Sequence, residues 1–407
     1  MTLRALLLDV DGTLVDTNEM HVAAWRLAFA SFNYRVGHDR IAEEIGKGGD
    51  LLIADVLGRD VEKLHGDALR AAHKEAFRLR IERDGVAFFP GVRPLLDALR
   101  ASGLRTAIAT SSSRDDLALL EEHLGCSFAS LVDKIATGDD AAVTKPAPHV
   151  VEAACAMLGE DPLACALLGD SLHDAAAARA AGVAFLGVTS GFVGETGFLE
   201  AGARFVARDL GHLTASLAKA LGAASPGHVT FTRARVEAQM GPAIAAALEG
   251  MDRGEVPIGA ALFDGDGALV ATGHNRAIET GDVTAHAEID AFRRLAASGR
   301  ELGEGAILVS TLEPCVMCLS AAMEVGIDVV IYGLEAPADG GTSRVHTPRS
   351  PENGLPRARG GACREETREL LLVWQRRLGT PSQRPYVEQL LAETEAETET
   401  ARARRAA

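Results

Sequence analysis

Long apolar runs are missing from this sequence. No stretch approaches the roughly 20 apolar residues that cross a bilayer, and MTLRALLLDVDG turns acidic directly after a short apolar run, which does not match a targeting segment. A cytoplasmic protein with no membrane partner is expected. Cysteine is also scarce: Cys126, Cys155, Cys165, Cys315, Cys318 and Cys363 are scattered irregularly, which excludes the disulfide framework of a small secreted domain. Only Cys315 and Cys318 have metal-ligand spacing. Positive charge is short as well. The 41 Lys plus Arg stand against 57 Asp plus Glu, a net charge of -16, which opposes non-specific attraction to phosphate backbones and makes nucleic acid a poor default partner. Aromatics are few, at 4%, yet 47% of the residues are hydrophobic, enough for a folded, full-sized core. A chain of 407 residues exceeds what one core usually serves, so two domains are expected.

The apolar runs at 5–8, 106–109, 166–168 and 184–188 alternate with helix-like stretches, the pattern of a parallel sheet with crossover helices. Between the first run and Pro90 lies a stretch of helical spacing, including HVAAWRLAF and EKLHGDALRAAHKEAF, which reads as an inserted helical subdomain at about 17–86. Small and turn-forming residues cluster from Gly222 to His228, as in an interdomain linker. The expected division is a first domain at 1–222, a linker at 223–230, a second domain at 231–392 and a polar tail at 393–407, which offers nothing to a core.

The first run ends in Asp9-Val-Asp11-Gly-Thr13, at the strand end where open parallel sheets place their ligands. Downstream, Thr110-Ser-Ser ends a second strand-like run, Lys145-Pro146 follows a polar loop, and Gly169-Asp170-Ser-Leu-His-Asp174 ends a third run. These residue types suit phosphoryl transfer, which needs an in-line nucleophile, an acid/base and positive charge on the equatorial oxygens. Through these four motifs, in order, the stretch from Met1 to Leu221 resembles the haloacid dehalogenase superfamily of phosphohydrolases. The resemblance implies a Rossmann-like parallel sheet whose helical cap closes over the substrate. It assigns Asp9 as nucleophile, forming an aspartyl-phosphate, and Asp11 as acid/base. Thr110 and Lys145 would hold the phosphoryl group. Mg2+ would sit on Asp9, the backbone carbonyl of Asp11 and Asp170, with Asp174 in support. In related sugar-phosphate mutases a cap arginine grips a second phosphate; the matching stretch here offers Lys47 among glycines, which favours a phosphatase.

In the second half, Thr-Ala-His286-Ala-Glu288 precedes the helical stretch IDAFRRLAA, and the strand-like run AILVS is followed by TLEPCVMC. Pro314 suits a helix start, which would place Cys315 and Cys318 on one face. With His286 they make three ligands for a cation that tolerates sulfur, leaving a fourth position for water. HxE followed by PCxxC is the established signature of zinc deaminases. With GEVPIG at 254–259 and GHNRAI at 273–278, the stretch from Phe231 to Tyr332 resembles bacterial tRNA adenosine deaminases and the neighbouring cytidine/deoxycytidylate deaminases. The resemblance implies a three-layer α/β/α domain that pairs as a homodimer. It implies Zn2+ on His286, Cys315 and Cys318 activating water, Glu288 shuttling the proton to the departing ammonia, and Asn275 bonding the substrate. Beyond Tyr332 the pattern departs, with GLEAPADGG and TSRVHTPRSPENGLPRARGG.

Residues 231–392 carry 16 Arg, no Lys and 22 Asp plus Glu, which disfavours a polyanion, although nine arginines between Arg344 and Arg384 offer a local basic patch. The expected whole is a bifunctional α/β hydrolase: a Mg2+ phosphatase of a small phosphate ester joined to a zinc deaminase of a base, nucleoside or small nucleotide. The alternatives are a tRNA adenosine deaminase with an unrelated phosphatase attached, or one domain serving as a non-catalytic binding module.

Overall fold

The computed structural model describes residues 3–225, 227, 229–346 and 354–406, the last of these from 396 onward by backbone alone. It divides into two compact units, Leu3–Ala224 and Ser225–Ala407. Each is built on its own sheet.

In the first unit β1 (Ala5–Leu8), β2 (Arg105–Ala109), β3 (Lys134–Ala136), β4 (Cys165–Gly169), β5 (Ala184–Val188) and β6 (Phe205–Ala207) form a parallel sheet of order β3-β2-β1-β4-β5-β6. Helices cover both faces, so the central strands are apolar at successive positions instead of alternating. Leu6 and Leu8 enter one core cluster and Ala5 and Leu7 the other, as the two-residue period of a strand requires. Leu8 lies in register with Ile108 and Leu168. The residues one or two positions further on, Asp9, Thr110 and Asp170, therefore emerge along one rim.

The insertion is formed by α1 (Asn18–Ser31), α2 (His38–Ala42), α3 (Gly49–Leu57) and α4 (Arg59–Asp84), with a core of its own around Trp25, Phe29, Ile41, Ile53 and Leu69. It meets the sheet rim through polar contacts: Ser111 Oγ donates to Gly46 O at 3.0 Å, Gly48 N donates to Thr144 Oγ1 at 3.0 Å, and a His173 ring nitrogen lies 3.0 Å from Glu43 O.

The second unit holds β7 (Gly259–Phe263), β8 (Leu269–His274), β9 (Ile307–Leu312), β10 (Val329–Leu334) and β11 (Arg357–Arg359) in the order β11-β10-β9-β7-β8. β7 is antiparallel to both neighbours, and β9, β10 and β11 are mutually parallel. Gly259 faces the helix Arg233–Asp252, while Ala260 packs with Ala287 and Ala291 on the other face, giving three layers. The helix Arg364–Arg377 and the last helix, Arg384–Ala406, complete a second cluster around Trp374, Val387, Leu390 and Leu391.

Residues 393–406, expected as a polar tail, are helical. Thr394 is buried because its hydroxyl bonds back to Leu390 O and Leu391 O, so a polar residue joins the buried layer at little cost. Where a linker is expected from 223, the helix Leu217–Ala224 occupies the first two positions; Pro226 and His228 lie outside the described residues, as does the 347–353 portion of the arginine-rich stretch.

Gly273 shows how closely a helix sits on the second sheet. A Cβ built there would lie 2.4 Å from both Ala287 O and Ala291 N, so backbone and not a pliable side chain would have to move. Gly273→Ala is expected to destabilise the chain by about 1–3 kcal/mol and to displace the helix Ala287–Ser298. Thermal melting together with zinc content checks this; an unchanged melt would show that the approach is looser than described.

Candidate active sites

The loop after β1 carries most of the first site. Asp9 and Asp170 are buried at the sheet rim, and Asp174 is buried on the first turn of the helix Leu172–Ala181. One carboxylate oxygen from each lies within 4.8 Å of the others. Lys145 reaches in from the loop after β3, with Nζ 2.7 Å from Asp9 Oδ1 and 2.6 Å from Asp174 Oδ1. Thr13 Oγ1 donates to Asp170 Oδ1 at 3.0 Å and Asn18 Nδ2 to Asp170 Oδ2 at 2.7 Å. Gly12, at φ 74°, lets the loop fold down over this carboxylate; a Cβ there would lie 2.2 Å from Asp170 Oδ2.

Three buried carboxylates facing one lysine leave negative charge uncompensated. Burial pushes Asp9 well above the ordinary carboxylate range, against the pull of Lys145 and with the repulsion of Asp174, Asp170 and Asp11. Burial and Asp174 push Asp170 up to about 7. A hard divalent cation fits this all-oxygen set, and Asn18 Oδ1 is buried there with no hydrogen-bond partner among the described residues. Asp9 and Asp170, backed by Asp174, are the residues that would hold Mg2+.

Asp11 is built for a different task. Burial disfavours its charge, but His21 and the hydroxyls of Ser112 and Thr17 outweigh this and hold its carboxyl below the usual range. Thr17 Oγ1 donates to Oδ1 at 2.7 Å, Ser112 Oγ to Oδ2 at 2.6 Å, and His21 Nε2 lies 3.2 Å from Oδ1. Thr110 is buried at the end of β2, its hydroxyl accepting from Ser112 N at 3.1 Å. Lys47 does not join the site. Its ammonium is held by Glu44 and by Asp55, the latter at 2.6 Å, within the helical insertion, so its charge is already neutralised. Thr13, Asn18, His21 and Ser112 are contacts that the motifs alone do not reveal. Their one signal is position, within or next to the loops that carry Asp11 and Thr110.

Ser171 caps the helix behind Asp170, exchanging hydrogen bonds with Asp174. Ser171→Ala is expected to cost about 1 kcal/mol and to free Asp174 to rotate, weakening Mg2+ binding. Calorimetric titration checks this, and unaltered affinity would show that Lys145 and the backbone N–H of residue 171 suffice to fix the carboxylate.

In the second unit, His286 and Cys315 are the N-cap residues of the helices Ala287–Ser298 and Val316–Val325. His286 Nδ1 lies 3.6 Å from Cys315 Sγ and 3.5 Å from Cys318 Sγ. Tetrahedral zinc with ordinary Zn–S and Zn–N bonds has S–N edges of roughly 3.5 Å; the donor set and its spacing fit that ion. A hydrogen bond from Cys318, working with His286 against burial, brings the Cys315 thiol down to about 4, while Cys318 moves the opposite way. Glu288 is 3% exposed and receives Ser310 Oγ at 3.0 Å on Oε1, and burial raises its carboxyl. Asn275 is clamped by donation from Nδ2 to the buried Glu255 at 3.1 Å. His286, Glu288, Asn275 and Cys315 line one cleft of about 210 Å³, together with Ile258, Val283 and residues from the C-terminal part of the chain.

A model of the haloacid dehalogenase-like hydrolases matches residues 3–182, and one of the cytidine and deoxycytidylate deaminase zinc-binding region matches residues 234–334. Protein CbbY of Rhodobacter capsulatus is 36% identical over 203 residues, 45% of this chain and 84% of that protein. The tRNA(Ile)-lysidine synthase of Deinococcus radiodurans is 40% identical over 138 residues, 33% of this chain. The chain spans only 24% of the length of that relative. Among solved structures, a hydrolase from Pseudomonas syringae superposes with a TM-score of 0.50 at 28% identity, covering 53% of this chain and 98% of that one. The chain is thus a hydrolase that belongs, through its N-terminal part, to the haloacid dehalogenase-like family and carries a cytidine and deoxycytidylate deaminase zinc-binding region in its C-terminal part.

Proposed function

We propose that the chain is a bifunctional enzyme: a Mg2+-dependent phosphatase of a small phosphate ester, and a zinc-dependent hydrolytic deaminase of a base, nucleoside or small nucleotide. The observation that carries the first half is the buried Asp9 beside Lys145, Asp170 and Asp174. Asp9 attacks phosphorus as the ester P–O bond breaks, the leaving oxygen takes a proton passed on by Asp11, and Lys145 offsets the charge that develops on the phosphoryl oxygens. Mg2+, when bound, draws charge from the transferred group. Asp11, held ionised by Thr17, Ser112 and His21, takes the proton of the water that frees the phosphoryl group from Asp9. The paired state of Lys47 leaves that cation unavailable for a second phosphate and favours a monophosphate ester.

The second half rests on a buried Glu288 beside three ligand atoms of zinc spacing. Zinc, when bound, supplies activation of water at neutral pH. Glu288 accepts a proton, and its raised affinity for that proton suits it to hand the proton on to the departing amine. Ser310 fixes its carboxylate, and Asn275 orients the substrate.

Phosphate release from a panel of esters with Mg2+, and ammonia release from bases, nucleosides and nucleotides with zinc, test the two halves separately. The likeness to a protein named for tRNA places an adenosine-containing stem-loop in the second panel. Release from the stem-loop alone, falling steeply with salt, would replace the small-molecule reading by RNA editing.

A further inference from the structure

Part of the wall of the zinc-site cleft comes from beyond residues 234–334. Asp339 lies in the loop after β10, Tyr386 on the first turns of the last helix, and Gln383 just before it. This loop is fastened at several points. Glu313, directly after β9, accepts from Ala336 N at 3.0 Å, Thr342 N at 3.1 Å and Thr342 Oγ1 at 2.5 Å. Gly341 N donates to Pro314 O at 2.8 Å, and Gly340 bridges to Cys315. Asp339 is therefore held one residue from a backbone bridge to a zinc ligand. Tyr386 is held from below by its neighbour Val387, which packs with Trp374 and Leu390.

Glu313 spends its carboxylate on the loop, whereas Asp339 does not. Its one side-chain contact among the described residues is Tyr386 Oη at 3.5 Å, beyond a full O–H···O bond, so both groups keep hydrogen-bonding capacity for an occupant. The charge of the cleft points the same way. Two thiolates balance a divalent ion, which leaves Glu288, Glu313 and Asp339 as the charged side chains, with no Lys or Arg among the described lining residues. Arg344, on the same loop, turns its guanidinium onto Gly340 O and Pro337 O and is not among the lining residues, so among the described lining residues a phosphate would meet carboxylates and no Lys or Arg.

Building on the deaminase reading above, we propose that Asp339, Gln383 and Tyr386 form a recognition subsite that selects an uncharged, unphosphorylated aminated heterocycle. Asp339 accepts from ring N–H or amino donors on the substrate's edge, the Gln383 amide offers one donor and one acceptor group, and the Tyr386 hydroxyl beside Asp339 offers a further donor or acceptor. A free base or nucleoside fits this description; its 5′-monophosphate does not.

The test uses the full zinc-loaded chain with cytosine, adenine, guanine, their nucleosides and their 5′-monophosphates. A base or nucleoside is expected to exceed its monophosphate by about tenfold or more in kcat/KM. Asp339→Asn is expected to raise KM for the preferred compound by about tenfold to a hundredfold, the loss of a charge-assisted hydrogen bond, with kcat little changed. Tyr386→Phe should move KM the same way by less. Asp339→Asn is close to isosteric, and melting and zinc content matching the parent establish that it folds. An unchanged KM in that variant, or preference for the monophosphate, overturns the subsite. If the parent releases ammonia from none of these compounds, the deaminase reading fails, and calorimetric binding to the zinc-loaded Glu288→Ala chain decides the subsite independently. Binding of a base but not its monophosphate, lost on adding Asp339→Asn, supports it. Equal binding by all, or binding indifferent to Asp339, overturns it.

Discussion

Replacing Glu288 by Gln is expected to cut ammonia release by about 10²–10⁴-fold, the usual worth of a positioned acid/base, with zinc content unchanged. The substitution preserves shape, and an amide oxygen still receives the Ser310 hydroxyl that now donates to Oε1. What it removes is the ability to take up and return a proton. The three ligand atoms come from His286, Cys315 and Cys318, so a loss of metal in the variant would point to a collapsed site and not to missing proton transfer. Full turnover in zinc-replete Glu288→Gln would remove Glu288 from the chemistry, and the other buried carboxylate of this helix, Asp290, is engaged by Arg276 and Arg294.

The second large effect concerns Asp9. Asp9→Asn removes the proposed nucleophile, and phosphate release is expected to fall by about 10³-fold or more. The same substitution should raise the melting temperature of the metal-free chain. It takes one charge out of a buried cluster in which carboxylates repel one another, while Lys145 keeps its partner in Asp174. Mg2+ should reverse the order: it stabilises the parent by about 2.7 kcal/mol when present at a hundredfold excess over its Kd, and it should stabilise the variant less. Melting curves with chelator and with Mg2+ read both effects. A parent chain whose melt ignores Mg2+ would not hold the cation at this cluster.

Most of what was legible in the sequence lay in residues whose chemistry is fixed by short spacing. Asp9 and Asp11 flank one valine, Asp170 follows a strand-like run, and Cys315 and Cys318 stand at helical spacing; these motifs depend little on distant parts of the chain. A parallel sheet was legible in four apolar runs separated by helix-like stretches, whereas the two short edge strands, Lys134–Ala136 and Phe205–Ala207, and the strand order were not. The fate of Lys47 was not legible, because its partner Asp55 belongs to the next helix and only packing decides which carboxylate a lysine meets. Asn18 was hidden for a similar reason, since it reaches Asp170 across 152 positions, and Thr13, though part of the first motif, gave no sign that its hydroxyl meets Asp170. Asp339, Gln383 and Tyr386 share no motif, and only the return of the last helix to the cleft joins them. In residues 393–406 composition showed only polarity, because the turn of the Thr394 hydroxyl onto its own backbone depends on local geometry.

The first compact unit is one continuous stretch, Leu3–Ala224, and every described residue of the second follows it. A ribosome therefore completes every strand of the six-stranded sheet before it begins the second, and the first unit can fold while the other is still being made. Premature termination after Ala224 would delete the zinc site and spare the carboxylate cluster entirely. No stop codon can produce the opposite loss, so in a population of nonsense alleles the two activities would disappear in a fixed order.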